Sequence, residues 1–236
     1  MTIKAVLFDL DATLLPMDQD AFLQGYFGLL TQTMVENGYD AEVFMRALMT
    51  GIRSIIGNDG SRTNEQAFWH TFERFYPEGR QPRDAVFAYF YREKFSETRA
   101  FCGFDERPRA IVDAVKKKGL LAALATAPAF PLIATETRMG YVGLTPADFS
   151  LVTSYENCTY CKPNVAYYLD VAARLGVAPA ECLMVGNDVT DDILPATEAG
   201  MQVFLLTEYL INKINADITA WPHGGYDDLL TYIAAI

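Results

Sequence analysis

Ile3-Lys4-Ala5-Val6-Leu7-Phe8-Asp9-Leu10-Asp11-Ala12-Thr13-Leu14-Leu15 is the stretch that decides the architecture. Its first six residues are nearly all apolar and strand-forming. Such a run suits a strand buried on both faces, the mark of a parallel sheet covered by helices. Similar runs recur at 120–125, 183–185 and 203–206, with helical patterns between them. Between Pro108 and Lys118 the apolar Ile111, Val112 and Val115 share one face. Lys116 to Lys118 complement the end of that helix dipole, and Gly119 can close it in a left-handed conformation. From Pro163 to Leu175 the residues Tyr167, Tyr168, Val171, Ala172 and Leu175 form one stripe, with Pro163 suited to the first helical position and Gly176 to the exit. Strands alternating with helices predict right-handed crossovers and an open, Rossmann-like α/β sheet with helices on both faces.

Residues 17–100 follow another rule. Phe22, Phe27, Leu30, Met34, Phe44, Leu48, Phe68, Phe72, Phe87, Phe90, Tyr91 and Phe95 recur at helical spacings, and no buried strand interrupts them. Loop signals stand at Gly57-Asn58-Asp59-Gly60 and Pro77-Glu78-Gly79. The stretch predicts an all-helical insertion of about four helices in the first crossover. The expected division is an α/β core from 1–16 and 101–236, and a helical domain from 17–100.

Composition narrows the partners. Of 236 residues, 51% are hydrophobic and 21% charged, enough to bury a sizeable core. Acidic residues outnumber basic ones 30 to 19 and the net charge is −11, which disfavours nucleic acid and anionic membranes as partners. No apolar run approaches the ~20 residues of a membrane span. Met1-Thr2-Ile3-Lys4 runs straight into a strand pattern, so a cytoplasmic protein without a signal peptide is expected. Four cysteines in a chain of this length suit a reducing compartment. Cys158-Thr159-Tyr160-Cys161 lacks the second ligand pair that zinc needs and reads as incidental thiols. His70 reads as structural, and Arg46, Arg53 and Arg62 as solvated surface cations.

The chemistry concentrates at strand ends. Asp9 and Asp11 sit at the carboxyl end of the first strand, where open α/β sheets bind ligands. Two carboxylates so placed repel each other unless a cation lies between them, and oxygen ligands in a compact turn suit Mg²⁺. One carboxylate can then act as nucleophile and the other as general acid/base. Thr126 ends the second apolar run, where its hydroxyl can meet a phosphate oxygen. Lys162 precedes a helix start, a place unfavourable for a cation unless an anion is near. Gly186-Asn187-Asp188-Val189-Thr190-Asp191-Asp192 is a glycine turn followed by an acidic helix start. Each feature has an ordinary structural explanation, but their recurrence at strand and helix ends of one chain points to a common site.

Together these stretches resemble the haloacid dehalogenase-like hydrolase superfamily, specifically its phosphatase branch. Phe8–Leu14 resembles the first motif, Thr126 the second, Lys162-Pro163 the third and Gly186–Asp192 the fourth; Tyr226-Asp227-Asp228-Leu229-Leu230 resembles the closing helix. The resemblance implies that Asp9 attacks phosphorus to form an aspartyl-phosphate and that Asp11 protonates the leaving alcohol and then activates water. It further implies that Thr126, the Ala127 amide and Lys162 hold the phosphoryl group of a small phosphorylated substrate. Family dehalogenases lack the second aspartate, so Asp11 argues for phosphate ester chemistry. The long interval between Thr13 and Thr126 accommodates a helical cap, whereas that between Thr126 and Lys162 is too short for the other cap type. Ala12 stands where glycine is usual, Pro128 removes one amide, and Asn187 takes the place of the usual first acid of the fourth motif. The implied Mg²⁺ set is Asp9, Asp11 and Asp188, with Asn187 or Asp192 contributing directly or through water. Two further readings remain open: a phosphotransferase or phosphomutase of the same superfamily, and a phosphate-binding relic with impaired catalysis. A signalling receiver is disfavoured by a nucleophile on the first strand, and a dinucleotide-binding dehydrogenase by the lack of a GxGxxG turn. The sequence leaves oligomeric state open.

Overall fold

The computed structural model describes residues 2–76 and 83–236; the loop signal Pro77-Glu78-Gly79 lies outside them. Among the described residues six strands form one parallel sheet: β1 (Ala5–Phe8), β2 (Leu121–Leu124), β3 (Leu151–Val152), β4 (Cys182–Gly186), β5 (Gln202–Leu206) and β6 (His223–Gly224). Their order is β3-β2-β1-β4-β5-β6, the doubly wound arrangement whose sequence of strands reverses between β1 and β4. Register is fixed by Phe8 opposite Leu124 on one side and Val185 on the other.

β1 is buried throughout because it is covered on both faces. Val6 and Phe8 join one core with Leu124, Val185, Ile111 and Val115. Ala5 and Leu7 join the other with Met184, Leu205, Tyr167 and Val171. The helices expected around the sheet form as α4 (Arg107–Lys117) and α6 (Val165–Leu175). Gly119 and Gly176 follow them at φ +74° and +71°, the left-handed exits that glycine adopts without penalty. Pro163 is not the first residue of α6; Asn164 is its cap, accepting from the Ala166 amide at 2.9 Å, and the helix begins at Val165. An asparagine oxygen satisfies the free helix amides, which proline cannot do.

The chain between β1 and β2 is a helical insertion, bracketed by an antiparallel bridge between Met17 and Cys102. It contains α1 (Gln19–Glu36), α2 (Ala41–Ile56) and α3 (Asn64–Phe72), and none of its described residues joins the sheet. Where a fourth regular helix was expected, π-helical turns at Arg83–Phe87 and Phe90–Lys94 run into a 3₁₀ helix at Phe95–Phe101. The wider turn has a reason in the aromatic spacing. Its i→i+5 bond, from the Phe95 amide to the Phe90 carbonyl, brings two rings five residues apart to a 6.1 Å centroid distance in the same core. After the sheet's fourth strand come α7 (Leu194–Glu198) and the closing α8 (Tyr226–Ala235), and between β2 and β3 lies α5 (Leu132–Gly140).

Candidate active site

β1 and β4 are hydrogen-bonded neighbours, and the Asp9 amide continues their ladder to the Val185 carbonyl at 3.0 Å. The residues just beyond both strands therefore meet at the reversal point of the sheet. Lys162 reaches into this space. Its ammonium donates to Asp9 Oδ1 at 2.8 Å and to Asp192 Oδ1 at 2.6 Å, and all three residues are buried. Burial opposes the charge on Lys162, but the carboxylates of Asp192 and Asp9 outweigh it and hold the lysine protonated well above its ordinary range.

Asp192 also accepts from the amides of Asn187 and Asp188, each at 3.1 Å. This approach requires Gly186: a Cβ there would stand 2.3 Å from the Asp192 carboxyl carbon. Asp188 uses Oδ1 to cap the turn that follows, accepting from the amides of Thr190 and Asp191 at 2.7 and 3.0 Å. Asn187 turns its amide away to accept from Thr13 at 3.0 Å and donate to the Tyr209 carbonyl at 2.8 Å.

Asp11 is held by a residue that sequence reasoning did not select. Arg138, in α5, is fully buried and donates to Asp11 Oδ2, while its guanidinium lies 4.2 Å from the centre of the Phe130 ring. The other oxygen, Asp11 Oδ1, is buried without a hydrogen-bond partner. Burial raises the Asp11 pKa above the usual carboxylate range; Arg138 pulls it down and Asp9 pushes it up. The signal for Arg138 in the sequence was an arginine on the apolar face of a short helix, a position where a cation persists only if it is paired.

Thr126 follows β2, which is paired to β1, so it emerges beside Asp9. Its carbonyl accepts from Tyr167 at 2.8 Å and Thr153 at 2.9 Å, which fixes the loop that bears the Ala127 amide. Ala12 adopts the left-handed region at φ +62°, so the turn after Asp11 keeps a conformation natural to glycine. Tyr226 of α8 donates to the Thr13 carbonyl at 2.6 Å and ties the closing helix to the same turn.

The secondary candidates lie elsewhere. His70 is exposed and hydrogen-bonded to Arg74, and Arg46, Arg53 and Arg62 are exposed. The four cysteines are free thiols. Among the described residues no three His, Cys, Asp or Glu side chains stand close enough to enclose a metal ion. No helix among them is long and apolar enough to cross a membrane.

Residues 3–200 match the haloacid dehalogenase-like hydrolases. Over 78 residues the chain is 32% identical to glyceraldehyde 3-phosphate phosphatase of Methanothermobacter thermautotrophicus; the match covers 30% of this chain and only 34% of that relative. Among solved structures, a HAD phosphatase from Thermococcus onnurineus superposes with a TM-score of 0.60 at 17% identity, covering 98% of both chains. A 2-haloacid dehalogenase from Pseudomonas syringae superposes with a TM-score of 0.66 at 19% identity, covering 99% of both chains. One fold thus carries two chemistries, and the activity has to be argued from the site.

Proposed function

The chain belongs to the haloacid dehalogenase-like hydrolases, and from that premise we propose that it is a Mg²⁺-dependent phosphatase, hydrolysing a small-molecule phosphate monoester through an aspartyl-phosphate on Asp9. The observation that carries this reading is the buried Lys162 ammonium shared between Asp9 and Asp192 at the reversal point of the sheet. A nucleophile that must meet a phosphate dianion needs a fixed positive charge beside it, and here the charge is held by a second carboxylate.

In the first half-reaction an Asp9 carboxylate oxygen forms a bond to phosphorus as the ester P–O bond breaks. Asp11, protonated, gives its proton to the departing alkoxide. In the second half a water attacks phosphorus, Asp11 takes the water's proton, and Asp9 leaves as carboxylate with inorganic phosphate. Thr126 and the Ala127 amide donate to the phosphoryl oxygens, and Lys162 offsets the charge gathering on them. Asp192 positions Lys162, and Arg138 fixes the orientation of Asp11. Residues 17–100 act as a helical cap that excludes bulk water from the reacting groups. With free thiols throughout, the chain suits a reducing, cytoplasmic setting.

The donors suit Mg²⁺. Asp9 and Asp188 each keep one carboxylate oxygen outside the hydrogen bonds just described, while Asp11 Oδ1, buried and without a partner, is the oxygen left to carry the proton of the acid step. Such a sparse set fits an ion that retains waters and takes further ligands from a substrate phosphate. Asn187 and Asp192 have spent their side chains on Thr13, Tyr209, Lys162 and backbone amides, so the reading places them behind the ion's ligands. When bound, Mg²⁺ would supply positive charge that draws a phosphate dianion toward two carboxylates.

The test is hydrolysis of an aryl phosphate by the intact chain with Mg²⁺. Asp9→Asn should abolish turnover while circular dichroism stays native; activity retained in that variant would remove Asp9 as nucleophile. Release of inorganic phosphate in the absence of any acceptor alcohol separates hydrolysis from phosphoryl transfer to a second substrate.

A further inference from the structure

The helical insertion and the loop after Thr126 enclose a cavity of about 180 Å³. Its wall is almost wholly apolar, with Leu48, Ile52, Trp69 and Phe87 from the insertion facing Phe130 of the loop. The hydroxyls of Tyr26 and Tyr91, which also line it, are bonded to each other at 2.8 Å. Burial pushes the Tyr26 hydroxyl up to about 12, so this pair stays neutral.

The cavity lies beside the loop and the arginine that border the proposed site. Ala129 in its wall is two residues beyond Ala127, so their Cα atoms lie within about 7.6 Å, and an Ala129-to-Ala127 hydrogen bond of 2.8 Å shortens that span. Phe130 lies against Arg138, the residue that holds Asp11. A phosphoryl group on Thr126 and Ala127, with its ester oxygen toward Asp11, therefore directs the alcohol part of the substrate at this wall.

We propose that the cavity receives the leaving group, and that the preferred substrates are phosphate esters of apolar alcohols, aryl-alkyl or branched-alkyl with about six to eight carbons. The inference rests on the phosphatase reading and specifies its substrate class. The size follows from a comparison: a dry apolar cavity of about 150 Å³ admits a benzene ring. The exclusion follows from the wall. A polyol entering it gives up water at each hydroxyl and finds no free polar partner on Leu48, Ile52, Phe87 or Phe130, a loss of about tenfold or more per hydroxyl. Small phosphorylated sugars and trioses are thus expected to be poor substrates.

The experiment compares benzyl phosphate with glycerol 3-phosphate and methyl phosphate, whose leaving alcohols are all weakly acidic, by phosphate release from the full chain with Mg²⁺. Binding of benzyl phosphonate is followed in parallel through the fluorescence of Trp69 in the wall. The expected result is a kcat/KM for benzyl phosphate about 100-fold above that for glycerol 3-phosphate, with saturable fluorescence change. In Ile52→Trp, which narrows the cavity, the benzyl-to-methyl ratio should fall at least about tenfold, with the thermal transition retained. Equal or better turnover of glycerol 3-phosphate overturns the substrate class and leaves the phosphatase reading standing. Benzyl phosphonate binding without turnover of any monoester, aryl phosphate included, supports the cavity's apolar preference and removes the phosphatase reading. Neither binding nor turnover overturns both.

Discussion

Lys162 both neutralises Asp9 and fills the centre of a buried ion network. Lys162→Met leaves two buried carboxylates without a cation, so unfolding in urea should show a loss of about 3–5 kcal/mol, alongside loss of activity. A variant that is inactive but fully stable would mean that the network is solvated. Arg138 makes a subtler test. In the proposed mechanism Asp11 is protonated when it serves the leaving alkoxide, and the neighbouring cation favours its ionised form. Removing that cation in Arg138→Met should move the Asp11 pKa upward and carry the alkaline limb of the kcat/KM profile to higher pH. A shift to lower pH would contradict the pairing. Asp9, Asp11, Thr126, Lys162 and Asp188 could be proposed from the sequence because each stands near a strand end or helix start, positions that a sequence marks with its own signals. Arg138 could not be, because its role depends on α5 packing beside the turn after β1: an arginine on an apolar helix face signals a partner, but nothing local to residues 132–140 says that the partner is a carboxylate far away in the chain.

At the scale of elements, α3 is where the insertion is anchored to the loops that carry the site. Its first residue, Asn64, is buried and donates to the carbonyls of Pro128 and Tyr160, each at 3.1 Å, while accepting from Asn58 at 2.8 Å. Its amide bonds the Cys158 carbonyl at 2.8 Å, and the Glu65 amide bonds that of Tyr155 at the same distance. Asn64→Ala leaves buried polar groups without partners, at a cost of about 1–3 kcal/mol, and hydrogen exchange should rise in α2 and α3 before it rises in the sheet. Uniform acceleration across the whole chain would show that the contact is not a local anchor. The four apolar runs were recognisable as strands from their strand-forming composition. β3 and β6, two residues each, were not, because a pair of residues carries no periodicity and edge strands are defined by the neighbour they pair with. The π-helical turns were equally hidden: aromatic spacing signalled a helix, and only packing of Phe90 against Phe95 selects the wider winding.

The whole molecule adds a field. With a net charge of −11 it repels the phosphate dianion that the site is proposed to bind, so capture rests on the buried Lys162 ammonium together with the Mg²⁺ the site is proposed to hold. Salt screens the distant charges more than the buried ones. Raising ionic strength from low salt toward the physiological range should therefore raise kcat/KM for a phosphate monoester, by about two- to tenfold, and a steep fall would indicate that exposed cations steer the substrate instead. The parallel-sheet class and the strand ends that bear the site follow from hydrophobic runs that can be read directly, whereas the cavity proposed to take the leaving group is lined by side chains from α1, α2, α3 and the π turns that no single segment displays.

Phosphorylation of Asp9 is the step on which the proposed hydrolysis turns. In Asp11→Asn, mixed with Mg²⁺ and an aryl phosphate whose leaving group needs little protonation, the first step should proceed while water attack stalls. Acid quenching followed by peptide mass mapping should then find one PO₃ group on the peptide that contains Asp9. Aryl alcohol released with no phosphoryl group on that peptide, or with the group on another residue, would contradict the account.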